Sequence, residues 1–228
     1  MSLEVDAALV VAQELKRPLL ELRQLAFGFD GNGESDEKIR LKMINVADKA
    51  IRQMNDLAKF EKLSRAEYGL SPVAVRALCD DVVDEISELF NGRKGEITVR
   101  YCNRSRLVMA NSELLKSVIY NLLADATNYT DAELKTELRV KQMGQTVEIN
   151  VRDFGPALPF DMWQEVKGNL LEPRDIAMRP GSSALGLYIV SKFAKYMNGK
   201  VGAVRHRDGV SFFVRIPVPR QMNIWGTE

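Results

Sequence analysis

The chain opens on apolar residues spaced three and four apart. Val5, Ala8, Ala12, Leu15, Leu19, Leu22, Ala26 and Phe29 form a heptad seam, the mark of a long helix packed along one stripe. Pro18 lies inside that run; it lacks an N–H, so it predicts a kink rather than a stop. The stretch Gly28-Phe29-Asp30-Gly31-Asn32-Gly33 breaks the helix, and Ser35 is placed to cap a second one. There Ile39, Met43, Val46, Ala50, Leu57 and Phe60 mark one apolar face, interrupted by Gln53. Ile44, Ala47, Ile51, Met54 and Ala58 mark another. A helix with two apolar faces needs more than one neighbour. A lone hairpin cannot cover both, so the pattern predicts two copies pairing through residues 5–64 into a four-helix bundle.

The rhythm changes at Tyr68-Gly69-Leu70-Ser71-Pro72, a turn-rich stretch read as a hinge. This divides the chain into a hairpin (1–68), a hinge (69–72) and a second domain (73–228). Val75 to Phe90, Ser112 to Asn128 and Leu185 to Met197 have helical periodicity, the last ending at the cap signal Asn198-Gly199. Glu96 to Cys102, Leu107 to Ala110, Leu134 to Gln142 and Thr146 to Arg152 read as strands. Lys200 to His206 and Val210 to Pro217 read as a hairpin across Arg207-Asp208-Gly209. Between them, Gly155 to Ser183 is a long irregular stretch, a length usually kept for function. Mixed strands and helices ending in a hairpin predict an α/β sandwich.

Composition narrows the chemistry. Thirty-two Lys and Arg against 31 Asp and Glu leave a formal charge of +1, which offers no basic field for nucleic acid. No apolar run reaches the roughly 20 residues of a membrane span, so no direct membrane contact is expected. Two cysteines, Cys79 and Cys102, make no disulfide framework and suggest a reducing, cytoplasmic setting. Both read as small core residues, one on a helix and one in a strand. The single histidine, His206, excludes three-histidine zinc chemistry.

Three segments carry candidate chemistry. In Asn121-Leu122-Leu123-Ala124-Asp125, the two polar residues are four apart and share one helix face, where their oxygens could hold a hard cation such as Mg²⁺. A solvated helix face would look the same. In Val151-Arg152-Asp153-Phe154-Gly155, an aspartate ends an apolar strand, where an ionised carboxylate can accept from an exocyclic amine such as that of adenine. An ordinary strand-ending turn is the alternative. In Pro180-Gly181-Ser182-Ser183-Ala184-Leu185-Gly186-Leu187, glycine and serine lead into a helix whose free N–H groups could face a phosphate, or simply be capped.

Taken in this order, with Asn128, Tyr129 and Thr130 completing the first segment, the three resemble the sequential boxes of sensor histidine kinases, whose ATP-binding domain is of the GHKL type. Upstream, Ala12-Gln13-Glu14-Leu15-Lys16-Arg17-Pro18-Leu19 resembles that family's phospho-acceptor box, on the first long helix. The resemblance spans roughly residues 5 to 218. It implies an α+β chain: an antiparallel helical hairpin forming a dimeric four-helix bundle, followed by a two-layer α/β sandwich of the GHKL ATPase type. It also implies ATP and Mg²⁺ as cofactors and a response-regulator receiver domain as partner. The setting it implies is the cytoplasm, as the cytoplasmic part of a membrane sensor. By resemblance Asn121 and Asp125 would hold Mg²⁺. Asp153, Gly155 and Ala157 would lie at the base, and Arg179, Gly181, Ser182, Ala184, Leu185 and Gly186 would shape the phosphate lid.

The departures from the family are specific. Gln13 stands where the family has its phosphorylated histidine, and a carboxamide is not a useful nucleophile. Glu14, a base in the family, has nothing beside it to activate, and Arg17 takes a position used in dephosphorylation. Asp125 replaces a metal-binding asparagine and Asn128 a lysine, which adds negative charge near a triphosphate. Ala157, Ser182 and Ala184 replace glycines. The expectation is weakened ATP binding and no autophosphorylation, with a non-catalytic dimeric scaffold for a receiver domain or an active kinase as the alternative. ATP hydrolysis of the other GHKL type is disfavoured, because Asn121 stands where those enzymes need a glutamate.

Overall fold

The computed structural model describes residues 2–29, 34–90, 97–102, 107–129, 136–160, 163–164 and 184–219. Two long helices come first, α1 (Ser2–Phe27) and α2 (Glu34–Ser64), packed on each other as a hairpin. Helix α1 runs through Pro18 without ending, as expected. Helix α2 starts at Glu34, one residue ahead of the expected cap Ser35, so that serine lies inside its first turn. Of the two expected faces on α2, the first is inward. Val46 and Ala50 are buried, and the line continues through buried Gln53 and Asp56 to half-buried Leu57 and Phe60. The second face, Ile44, Ile51 and Met54, is exposed.

The expected hinge is partly strand. Ser71 and Pro72 open β1 (Ser71–Ala74), a short strand that turn-rich composition concealed. It pairs antiparallel with β3 (Leu107–Ala110), which places Pro72 in a two-stranded sheet where a missing N–H is tolerated. Helix α3 (Val75–Phe90) follows at once. Its apolar side, Val75, Cys79, Val82 and Ile86, is wholly buried at three- and four-residue spacing, and its acidic side, Asp80, Asp81 and Asp84, faces solvent. Burial pushes the Cys79 thiol up to about 12, so it is a packed core group and not a nucleophile.

The main sheet has the order β2-β4-β5-β7-β6, formed by β2 (Thr98–Cys102), β4 (Glu137–Met143), β5 (Thr146–Asp153), β6 (Lys200–His206) and β7 (Gly209–Pro217). Among the described residues β2 and β4 are the one parallel pair. Strand β5 alternates strictly between buried and half-buried positions, so Val147, Ile149, Val151 and Asp153 all point to one face. Onto that face pack α4 (Ser112–Tyr129) and α5 (Ala184–Tyr196). Leu114, Leu115, Ile119, Leu122, Leu123, Leu138, Ile149 and Phe193 are sealed between the layers. This is the two-layer α/β sandwich that the sequence predicts.

Local caps fix the element ends. Asn111 Oδ1 accepts from the N–H groups of Glu113 and Leu114 at 3.1 and 3.2 Å and so starts α4, while its Nδ2 donates to the Gly69 carbonyl at 3.2 Å. At the end of α5, Asn198 takes a left-handed φ of 55° and the Gly199 N–H bonds back to the Ala194 carbonyl at 2.7 Å, as the Asn-Gly signal predicts.

Candidate nucleotide site and the hairpin contact

Helix α4 carries the first candidate segment. Asp125 and Thr127 are buried near its C-terminal end. Beside α3, it packs against α5 and β5, which carry residues of the other two segments. Asp153 is the last residue of β5 and is 1% exposed. Its Oδ1 accepts from the Gly155 N–H at 3.0 Å, so the expected aspartate-to-glycine spacing closes into a tight turn. Asp153 pairs with Val210 of β7, and the residue before that, Gly209, has a φ of +140°. A Cβ there would collide with the Asp153 carbonyl, so only glycine lets β7 approach the aspartate this closely.

The chain after Asp153 is held down at Leu158. Its side chain is fully buried, and its carbonyl accepts from Arg205 Nε at 2.7 Å. Gly155 and Ala157 are half-buried along this path. In α5, Leu185, Gly186 and Leu187 are buried against α4. The structure thus mounts Asp125 on α4, and Asp153 and Gly186 on β5 and α5, each of which packs against α4. Arg179, Gly181, Ser182 and Ser183 lie outside the described residues. The backbones of Gln13, Glu14, Asn128, Tyr129 and Ala184 lie in helices, and their side chains lie outside what is described. Gln13 is on α1 and His206 is on β6, so the one imidazole belongs to the other part of the molecule.

Asn121 is already engaged. Its Nδ2 donates to Asp56 Oδ2 on α2 at 3.0 Å and to the Ser117 carbonyl at 2.8 Å. Asp56 is 6% exposed. Its other oxygen accepts from Lys59 Nζ at 2.9 Å, and that same Nζ reaches Ser117 Oγ on α4 at 2.5 Å. Nearby, Arg52 pairs with Glu85 of α3 and lies over the Tyr120 ring at 4.3 Å, and Lys116 pairs with Glu85 at 3.1 Å. Of these groups, Arg52, Asp56, Lys59, Lys116, Ser117 and Tyr120 line a cleft of about 310 Å³ between hairpin and sandwich. Closer to the hinge the contact turns apolar. Phe60 stacks on Tyr188 at 5.5 Å and meets Phe193 at 5.2 Å, and the Tyr196 hydroxyl donates to the Tyr68 carbonyl at 2.7 Å. The sequence reading missed Asp56 and Lys59. The signal was present in the inward stripe of α2, which breaks to polar at Gln53 and Asp56 where a neighbour must answer it.

Comparison with known proteins now defines the class. Residues 110–220 match the family of histidine kinase-, DNA gyrase B- and HSP90-like ATPases, so this part of the chain is a GHKL-type ATPase domain. The chain is homologous to sensor histidine kinases. It is 25% identical over 229 residues to the adaptive-response sensory kinase SasA of Rippkaea orientalis, covering 92% of this chain and 57% of that protein. It is 26% identical over 149 residues to the sensor protein kinase PmrB of Pseudomonas aeruginosa, covering 65% of this chain and 31% of that one. The chain thus spans at most a little over half the length of these relatives. Among solved structures, the Acinetobacter baumannii histidine kinase AdeS superposes with a TM-score of 0.63 at 16% identity, over 91% of this chain and 98% of that one. The histidine kinase ThkA in complex with response regulator protein TrrA gives 0.66 at 16% identity, over 96% and 63%. At such identities the likeness concerns the fold, and it covers both hairpin and sandwich. Among the described residues no helix is long and apolar enough to cross a membrane.

Proposed function

We propose that the chain is the transmitter core of a two-component signalling protein that binds Mg·ATP in its sandwich, dimerises through residues 5–64 and does not phosphorylate itself. The observation that carries the nucleotide reading is the burial of two carboxylates, Asp125 in the C-terminal part of α4 and Asp153 at the end of β5, on elements that pack against each other. The residue types suit ATP and Mg²⁺. Asp153 is an acceptor fit for an adenine amine, and Asp125 with the Asn121 carboxamide offers the one or two protein oxygens that Mg²⁺ takes alongside phosphates. Asn128, Tyr129, Gly155, Ala157, Arg179, Gly181, Ser182, Ala184, Leu185 and Gly186 complete the proposed site.

Bound Mg·ATP would supply a γ-phosphoryl group held by a hard cation. What this chain lacks is the acceptor, since Gln13 has no imidazole for Glu14 to assist. Its output would then pass through docking, with the hairpin beside Gln13 receiving a receiver domain. A groove of about 610 Å³ lined by Lys16, Arg17, Leu20, Glu21, Gln24, Leu25 and Lys42 supports a docking role for this surface. Residues 69–72 serve as the hinge in this reading, and the protein works in the cytoplasm, as the cytoplasmic part of a membrane sensor. Calorimetric titration with Mg·ATP tests the nucleotide claim. The expected result is binding that Asp153→Ala abolishes, whereas no heat at millimolar nucleotide leaves only the non-catalytic scaffold. Incubation with radiolabelled ATP should leave the chain unlabelled, and acid-labile, base-stable label would refute the claim about Gln13.

A further inference from the structure

Resting on the nucleotide reading, we infer that Arg205 is a positioning residue for the base-reading carboxylate: it fixes the far end of the turn that follows Asp153. The sheet register places the two residues in one row. Asp153 of β5 pairs with Val210 of β7, and Val210 pairs with Arg205 of β6. Val201 and Ala203 of β6 are buried on the helix-covered face, and alternation puts Arg205 on that same face. There the apolar pattern of this edge strand breaks to a cation, whose Nε donates to the Leu158 carbonyl at 2.7 Å. Residues 154–158 lie outside helix and strand, so their backbone groups need partners from elsewhere. The near end of the segment is closed by the Gly155 N–H on Asp153 Oδ1, and the far end by Arg205 together with the buried Leu158 side chain. Between the two lie Gly155 and Ala157, both part of the proposed site.

The rest of the β6–β7 turn bears on the same segment. Gly209 lies against the Asp153 carbonyl and the Phe154 backbone. Asp208 Oδ1 accepts from Arg152 Nη2 at 2.9 Å, and the Arg152 guanidinium lies over the Phe154 ring at 4.5 Å. Arg205, Asp208 and Gly209 are none of them in the proposed nucleotide site, yet all three support the turn that carries its carboxylate. Recognition by a hydrogen bond requires the acceptor to be held where the donor arrives, and a supporting contact is what holds it. Arg205 acts through Leu158 and does not itself touch the base. An inward charge can also guard a sheet edge against pairing with another chain, but that role would not change which base is bound.

The test is a calorimetric titration of the full chain with Mg·ATP and with Mg·ITP, whose base carries an oxygen where adenine has its exocyclic amine. The wild type should prefer ATP by on the order of tenfold, the size of one hydrogen bond to a charged group. Arg205→Met keeps the apolar stem and removes the donor. It should weaken ATP binding and bring the ATP-to-ITP ratio close to one, whereas Arg205→Lys, which keeps a donor, should retain much of the preference. Asp208→Ala changes an exposed turn position and releases Arg152. It should lower the ratio in the same direction, and it decides the matter if Arg205→Met does not fold. An unchanged ratio in the folded variants, whether both affinities fall together or neither does, overturns the brace and leaves the nucleotide site standing. Equal affinity of the wild type for the two nucleotides overturns the base-reading role of Asp153 and the brace with it. Absence of binding to either nucleotide overturns the nucleotide site itself, and the brace falls with it.

Discussion

The hairpin and the sandwich solve the burial problem differently. In the sandwich, the large apolar side chains Leu114, Leu115, Ile119, Leu123 and Phe193 have essentially no contact with solvent. In the hairpin, Leu19 is 61% exposed, Phe27 77%, Ile51 55% and Met54 59%. A sheet with helices on one face closes its own core. Two helices side by side cover only the stripe between them, and an α2 patterned for two neighbours keeps one face bare. The sandwich is therefore complete within one chain. The hairpin carries an apolar face of the kind buried when copies pair, which supports the proposed dimer.

The sharpest way to break this contrast is to empty the closed side. Phe193 is fully buried in α5 and also receives Phe60 from the hairpin. Phe193→Ala should cost about 3–5 kcal/mol of unfolding free energy, read by denaturant titration. Because the ring serves both core and hinge contact, the hairpin should lose its docking in the same transition. A loss below about 1 kcal/mol would show that the core is looser than its burial implies.

The open side should answer in another currency. Ile51→Asp lies on the bare face of α2, so it should leave the unfolding of the sandwich nearly unchanged. A proposed dimer would instead lose the burial of two isoleucines, each worth roughly 1.5–3 kcal/mol. Sedimentation equilibrium should show the dimer dissociating at concentrations where the wild type stays paired. A variant that remains dimeric would move the interface off this face.

How much of this was readable beforehand follows from which forces act locally. Val75 to Phe90 was legible to the residue, because a wholly buried stripe opposite a solvated acidic one leaves no other period. The β6–β7 hairpin was legible for its turn, and Asp153 for its place between an apolar strand and a glycine. Strand β1 was not: four residues with a proline look like a loop until Met109 and Val108 pair with them. The role of Gly209 was read as turn chemistry, while its closeness to Asp153 is a tertiary fact. Asn121 was the instructive case. The spacing put it on one helix with Asp125, but its partner Asp56 stands 65 positions earlier, and nothing local to either residue names the other.

The smallest effect separates the two regions by pH. His206 is the only histidine, and it sits in the sandwich, so mild acid titrates no imidazole in the hairpin. Its Nε2 lies 2.8 Å from Ser211 Oγ. Burial pushes its pKa down from the usual 6.5 and the nearby Arg152 cation adds to that, while Asp208 and Asp153 pull weakly the other way. The folded state thus holds the ring neutral at a pH where the unfolded chain has already taken up a proton. The unfolded state binds more protons below about 6.5, so stability falls as pH drops through that value and stops falling once the folded ring also protonates. Above it the group contributes no slope. The sequence supplies a single imidazole signal, so an NMR titration reads it without assignment, and the midpoint should lie below 6.5. His206→Gln should flatten the melting temperature between pH 7 and 5.5 by a small margin. A midpoint at or above 6.5 would mean that the Asp208 and Asp153 carboxylates outweigh burial and Arg152, and the pH slope would then change sign.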